Sequence, residues 1–131
     1  MLQGEFGKYR IENVIGMGGM SIVYRAFDST LQRDTALKIL NVRRMSNPID
    51  VRRFKREVEI AQRLRHPNII DIYEYGEVEN FAYLAMEYMP GGSLAERYSN
   101  PIHLTLGESS EMLKVIASAL DFAHAEGVLH R

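Results

Sequence analysis

Three features in the first half of the chain have the chemistry to bind a phosphorylated ligand. The first is a glycine-rich run, Gly16-Met17-Gly18-Gly19. Glycine has no side chain, so backbone N–H groups in such a loop can approach phosphate oxygens closely. The second is Lys38, whose ammonium group can neutralise phosphate charge. The third is Glu57, whose carboxylate can hold that ammonium group by a charge-assisted hydrogen bond.

Each feature also has an ordinary structural interpretation. Glycine-rich turns are common, and a lysine on a strand is usually a solvated cation. Lys38 lies in an otherwise apolar segment, however, and a strand period of two places Ala36 and Lys38 on one face. Glu59 competes with Glu57 for the inward position, because the two lie about 200° apart around a helix. The basic residues around them, Arg52, Arg53, Lys55 and Arg56, are expected to form a solvated helix face.

The elements that must position these groups begin with strands. Apolar residues alternate from Tyr9 to Ile15, and β-branched and aromatic residues fill Ile22–Phe27. We predict that these two strands are joined by the glycines as a hairpin, and that a third strand covers Thr35–Leu40. A dinucleotide-dependent oxidoreductase would instead need a helix directly after Ser21. The strand pattern argues against that class of enzyme.

The segment after the third predicted strand has its apolar residues at helical spacing. This spacing predicts a helix that begins after an N-cap at Asp50 and ends before Pro67. The residues of this apolar stripe are Val51, Phe54, Val58, Ala61 and Leu64. Two short strands are predicted over Ile69–Tyr75 and Phe81–Tyr88.

Two capping boxes predict the last two helices. Ser93 with Glu96 opens a short helix, and Thr105 with Glu108 opens a longer helix that ends at Gly127. The apolar stripe of the longer helix needs neighbours to cover it.

Composition narrows the class of protein further. The chain has 131 residues, which suits one domain or part of one, with a net charge of −1 and no cysteine. These values exclude a strongly basic nucleic-acid binder, a disulfide framework and a cysteine nucleophile. The four histidines are scattered, so we expect no metal site. No signal peptide or long apolar run is evident, so we expect a soluble domain without membrane contact within this chain. A cytoplasmic location is compatible with the missing cysteines but not required by them, and a membrane anchor downstream is left open.

Taken in order, these motifs resemble the protein kinase family over essentially the whole chain, and bacterial serine/threonine kinases in particular. The segment over 15–23 resembles the G-x-G-x-x-G-x-V loop, with Ser21 in place of the third glycine. The remaining matches are Ala36-Leu37-Lys38 for the strand lysine, Arg56-Glu57-Val58 for the helix glutamate, Met86-Glu87-Tyr88-Met89 for the gatekeeper and hinge, and His130-Arg131 for the start of H-R-D.

The resemblance implies an α+β, kinase-like fold. It implies a small antiparallel β-sheet lobe with one packed helix over residues 1–89. Residues 90–131 would then supply the start of the larger helical lobe, with its first two helices. Neighbours of the long helix would belong mostly to the rest of that lobe, so we expect its apolar stripe to be exposed in this chain.

The resemblance also implies the site. Lys38 and Glu57 would form the catalytic ion pair, and the nucleotide-binding residues would be Ile15, Gly16, Met17, Gly18, Gly19, Met20, Ser21, Ile22, Val23, Ala36, Lys38, Met86, Glu87 and Met89. ATP would be the nucleotide, with Mg²⁺ bound by ligands beyond this chain, and the partners would be proteins with serine or threonine hydroxyls. No match to the H-R-D aspartate or to D-F-G is present, so we expect the chain alone to be inactive. The alternative is a nucleotide-binding pseudokinase or regulatory module without turnover.

Overall fold

The computed structural model describes residues 2–18, 21–41, 48–97 and 104–129. The chain divides into two compact units. The first unit comprises Met1–Arg63 and Asp71–Tyr88, and the second comprises Leu64–Ile70 and Met89–Arg131.

The described part of the first unit contains an antiparallel sheet of six strands in the order β1-β2-β3-β4-β6-β5. The strands are β1 Gly4–Phe6, β2 Tyr9–Met17, β3 Ser21–Asp28, β4 Arg33–Asn41, β5 Ile72–Val78 and β6 Phe81–Glu87. Helix α1, Pro48–Ala61, lies between β4 and β5 in the sequence. Strand β3 directly follows the glycines, so the predicted hairpin is confirmed and a dinucleotide-type loop is excluded.

Predicted boundaries of two elements, α1 and β5, are wrong. Helix α1 ends at Ala61, so Leu64, a predicted member of its stripe, lies beyond the helix. Helix α1 begins at Pro48, so Asp50 lies inside the helix and is not its cap; the fixed φ of proline suits the first helical position. Strand β5 begins at Ile72 and not at Ile69, because the Ile69 N–H donates to the His66 carbonyl in a turn.

One face of the sheet carries the apolar core of the first unit. Tyr24, Leu37 and Ala85 lie directly opposite one another on β3, β4 and β6, and residues paired in this way share a sheet face. The core comprises Phe6, Tyr9, Tyr24, Ala26, Leu37, Ile39, Tyr83 and Ala85. Leu37 and Ile39 are thus the core-facing residues of central β4.

A charged cluster lies beside this core. The Lys8 Nζ atom is 2.5 Å from Glu74 Oε2 and 3.3 Å from Asp28 Oδ2, and the Tyr83 hydroxyl donates to Glu74 Oε1 at 2.6 Å. Burial acts to raise the pKa of Glu74, but hydrogen bonds from Lys8 and Tyr83 outweigh it and hold the pKa below its ordinary value. Asp28 also accepts two backbone N–H bonds from the β3–β4 turn.

The second unit contains α2, Leu94–Arg97, and α3, Leu106–Ala125. The predicted capping box of α3 is confirmed, since Thr105 Oγ1 accepts the Glu108 N–H and the Glu108 carboxylate accepts the Thr105 N–H. Gly127 has a φ of 78°. The Gly127 N–H donates to the His124 carbonyl and the Val128 N–H to that of Ala123, so a Schellman motif ends the helix as predicted.

His66 joins the segment before β5 to α3 within this second unit. Its Nδ1 atom accepts the Asn68 N–H at 3.1 Å, so the proton of the neutral ring lies on Nε2. Nε2 then donates to Ser118 Oγ, 3.2 Å away. The ring also packs on Phe122, with centroids 5.3 Å apart.

The prediction that the apolar stripe of α3 is exposed is confirmed only in part, because Met112, Ala119 and Leu120 are half-buried and Ala123 is buried. Leu106 and Leu113 are 88% and 67% exposed, and Val115 and Ile116 are also exposed. Among the described helices, none combines the length and apolar character that a membrane crossing requires.

Candidate active site

The position of Lys38 follows from the register of β4. Lys38 lies opposite Val23 on β3 and opposite Leu84 on β6, within pairings that run without a register shift along β4. Because neighbours in sequence alternate between faces, Lys38 lies on the face opposite Leu37 and Ile39. The ammonium group is therefore carried on the face away from the aromatic core.

Four other predicted residues share that face. Gly16 pairs with Val23, and Ala36 pairs with Met86. A Cβ atom on Gly16 would lie 3.6 Å from Val23 Cβ, an ordinary van der Waals distance, so Gly16 lies beside Val23 on this face. Ala36 and Lys38 therefore share a face, as predicted, and the small Ala36 is the next residue along this face of β4.

The glycine hairpin is closed by a bond from the Gly18 N–H to the Ser21 carbonyl, 2.8 Å long. A Cβ atom on Gly18 would lie 3.3 Å from Ser21 Oγ, a tight approach that favours glycine there. Gly19 and Met20, also predicted to bind nucleotide, lie outside the described residues. At Gly18 itself the chain presents backbone without a side chain, as close approach to a phosphate requires.

The remaining described residues of the predicted nucleotide-binding loop, Ile15, Met17 and Ile22, lie in different environments. A register shift between Val14 and Gly16 leaves Ile15 without a strand partner in the described pairing, and Ile15 and Met17 are both exposed. Ile22 pairs with Ile39 and packs against the aromatic core. Any contact from Ile22 to a nucleotide on the Lys38 face would therefore come from its backbone.

The predicted partner of Lys38 is only partly described. The backbone of Glu57 lies in α1, but its side chain is outside the described part of the structure, so the Lys38–Glu57 ion pair remains a prediction. Lys38 itself is partly buried, and the competing Glu59 is exposed.

The predicted hinge residues lie at the end of β6 and beyond it. The Glu87 N–H already donates to the Asp71 carbonyl at 2.9 Å, so this N–H is not available to a ligand. Met89 belongs to the second unit and is exposed. His130 and Arg131 lie outside the described residues.

Within the described ranges, no three His, Asp or Glu side chains lie close enough together to form a metal site. The glycine turn and Lys38 are suited to phosphate, and they offer no carboxylate cluster to a divalent cation.

The sequence interpretation missed two polar clusters, the Lys8–Glu74 cluster described above and a second one that involves α1. Lys55 on α1 was expected to be a solvated cation, but its Nζ atom lies 2.6 Å from Glu77 Oε1 on β5. The Tyr75 hydroxyl donates to that same oxygen at 2.8 Å. A run of cations on α1 and of acids on β5 is visible in the sequence, but nothing local specifies which residues meet.

Comparison with known proteins agrees with the motif order. A family profile described as "Protein kinase domain" matches residues 9–131. The serine/threonine-protein kinase PrkC of Bacillus subtilis is 40% identical over 127 residues, covering 95% of this chain and 19% of PrkC. The serine/threonine-protein kinase PknJ of Mycobacterium tuberculosis is 39% identical, covering 96% of this chain and 21% of PknJ. The chain thus spans about a fifth of the length of these relatives.

Solved structures give the same result for the fold. The crystal structure of a single-substitution mutant of the Mycobacterium tuberculosis PknI kinase domain matches with a TM-score of 0.85 and 32% identity, covering all of this chain and 54% of that one. A second PknI kinase domain structure matches with a TM-score of 0.84 and 53% coverage. The antiparallel sheet with few helices is therefore a kinase-like fold over about half of a kinase domain.

Proposed function

Because this chain belongs to the protein kinase family, we propose that it supplies the ATP-binding half of a domain that phosphorylates serine and threonine hydroxyls of proteins. The sequence is part of a serine/threonine protein kinase domain. In the proposal, residues 1–89 form the smaller lobe and residues 90–131 begin the larger one. The observation that carries it is the register of β4, which gives Lys38 and Ala36 one face beside Val23 and Gly16.

Each residue on that face has a role that its chemistry supports. The backbone of the glycine turn lies along phosphate oxygens, and the Lys38 ammonium group neutralises their charge. Ala36 is small enough to leave room for a flat purine ring, and Val23 covers it with an aliphatic surface. Glu57 holds the ammonium group in place. Phosphoryl transfer depends mainly on such positioning and on charge neutralisation.

Mg²⁺ would neutralise phosphate charge when bound, and we expect its ligands outside this chain. The 131 residues by themselves are therefore expected to bind ATP weakly and to transfer no phosphate. Titration calorimetry with Mg-ATP checks the first expectation, and micromolar affinity for the isolated chain would contradict it.

The proposal is tested by Lys38→Met in the full-length protein that contains this sequence. Transfer of labelled γ-phosphate to a protein substrate should fall about 100-fold or more, as when a charge-stabilising donor is removed. Lys114→Met is the matched control, because Lys114 is an exposed lysine on α3 paired only with the exposed Glu111 in the described structure. Circular dichroism should show both variants folded.

Activity of Lys38→Met within a few-fold of wild type would contradict the proposal. A wild-type full-length protein that binds ATP but transfers no phosphate would favour the alternative, a nucleotide-binding module without turnover.

A further inference from the structure

We propose that Lys55, Glu77 and Tyr75 form a tether that fixes α1 on the Lys38 face of the sheet and thereby positions Glu57. The proposal rests on the proposed function of Lys38 and Glu57. In it the three tether residues are positioning residues that act through α1.

The first support for the tether is that two donors bind the same carboxylate oxygen of Glu77. Glu77 Oε1 accepts both the Lys55 ammonium group, at 2.6 Å, and the Tyr75 hydroxyl, at 2.8 Å. Tyr75 and Glu77 are two residues apart on β5 and so lie on one strand face. The tyrosine hydroxyl fixes the direction of the carboxylate that receives the lysine.

The second support is the register that relates the tether to Lys38. Tyr75 pairs with Leu84 on β6, and Leu84 pairs with Lys38 on β4. Residues directly opposite each other in adjacent strands share a face. The tether therefore attaches α1 to the face that carries Lys38, two strands away from the lysine, and not to the face that carries the aromatic core.

The third support is the helix itself. Val58 follows Lys55 by three positions, so the two are neighbours on one side of α1, and Val58 is buried. Position 57 lies about 100° around the helix from position 58. Rotation of α1 about its axis, or movement away from the sheet, would break the Lys55–Glu77 contact and displace position 57 together with it.

The charges of the tether favour one position of α1 while adding little to the global stability of the fold. The Lys55 ammonium group and then the Tyr75 hydroxyl lower the pKa of Glu77, so the carboxylate stays ionised at neutral pH. Burial, with the bond to Glu77, raises the pKa of Tyr75, so its hydroxyl remains a donor. The Lys55 and Glu77 side chains are 41% and 47% exposed, and such pairs are screened by salt and add little to global stability.

The absence of cysteine from the 131-residue chain makes a direct test possible. Spin labels on Arg56→Cys, exposed on α1, and Thr30→Cys, exposed in the β3–β4 turn, report the distance between helix and sheet. Amide hydrogen exchange reports the opening of α1. Label distances are measured without nucleotide in the chain carrying Arg56→Cys and Thr30→Cys, and amide exchange in the chain without cysteine. Each measurement is repeated with Lys55→Met, with Glu77→Gln and with the exchanged pair Lys55→Glu with Glu77→Lys.

We expect each single variant to broaden the label distance distribution and to raise amide exchange in α1 about two- to five-fold, as suits a part-exposed ion pair. High salt should produce the same change in the chain with the tether intact. The exchanged pair should restore only part of the original behaviour at low salt, because the Tyr75 hydroxyl cannot donate to a lysine at position 77. The matched control is Lys114→Met with Glu111→Gln, an exposed pair on α3 with a 2.7 Å contact. Unchanged α1 in the single variants, or an equal change in the control, would overturn the tether.

Failure of the tether and failure of the proposed function give different results. If Lys38→Met retains transfer while the tether variants loosen α1, the proposed function is wrong and the attachment of α1 stands. If Lys38→Met abolishes transfer while α1 is unmoved in the tether variants, the proposed function stands and the tether is wrong. In the full-length protein, Lys55→Met should lower transfer about two- to five-fold, with partial recovery in the exchanged pair.

Discussion

Gly76 on β5 lies directly opposite Tyr83 on β6, and a Cβ atom on Gly76 would stand 2.5 Å from the Tyr83 hydroxyl oxygen. The tyrosine ring thus lies across the bare backbone of the glycine. The same hydroxyl donates to Glu74 at 2.6 Å, and the ring packs edge-on against Phe6 and Tyr9. Because these contacts fix the ring, it has little freedom to yield to a larger residue at position 76.

Gly76→Ala should therefore destabilise the first unit. We expect the free energy of unfolding in urea to fall by about 1–3 kcal/mol, the usual cost of overpacking a filled site. Gly91→Ala is the control, since a Cβ atom there would meet nothing within 4 Å. Equal stability of the two variants would show that the Tyr83 ring moves aside without cost.

Thr35→Val should have the opposite effect. Thr35 is fully buried on β4, and its Oγ1 atom has no hydrogen-bond partner among the described residues. An unsatisfied buried hydroxyl costs about 1–3 kcal/mol, so replacing it with a methyl group of similar size should raise the free energy of unfolding by about 1 kcal/mol. The same change at exposed Thr30 should shift stability by no more than about 0.5 kcal/mol. Destabilisation of Thr35→Val would mean that the hydroxyl is satisfied in solution.

Glu74 should make stability depend on acid pH. Its pKa in the folded chain lies below the ordinary 4.5, so the folded state holds its proton less tightly than the unfolded state does. The stabilisation is complete above the unfolded pKa and is lost as pH falls through the lower, folded pKa. Between about pH 6 and pH 3, wild type should therefore lose stability more steeply than Glu74→Gln. Urea unfolding at a series of pH values measures this, and equal slopes for wild type and Glu74→Gln would contradict it.

Thr105→Ala should weaken the start of α3. The threonine hydroxyl and the Glu108 carboxylate satisfy each other's backbone N–H groups, and loss of such a cap costs about 0.5–2 kcal/mol. Amide exchange should accelerate in the first turn of α3 and not at the Schellman motif around Gly127. Ser110→Ala, inside the same helix, is the control and should leave the first turn unchanged or slightly slower to exchange. Uniform acceleration along α3 would point to unfolding of the whole helix in place of fraying.

Sequence patterns within a single element predicted the placement of Lys38. They did not predict features that depend on contacts with residues distant in the sequence. The face of Lys38 follows from the period of two along a regular strand, a property of β4 alone. The start of β5 depends on where its pairing with Met86 begins, which Ile69 and Ile70 do not reveal. Strand β1 has three residues and a single buried one, too few to show a period. The partner of Lys55 depends on how a helix packs on a strand about twenty residues later, and no local spacing encodes that contact.

The uncovered leucines of α3 have a calorimetric consequence. Leu106 and Leu113 already contact water in the folded chain, so unfolding adds little new hydration at these side chains. The heat capacity change of unfolding arises mainly from apolar groups that enter water, and globular proteins average about 12–15 cal/mol/K per residue. Scanning calorimetry of the 131-residue chain should give a value per residue below that range, with a correspondingly flatter curve of stability against temperature.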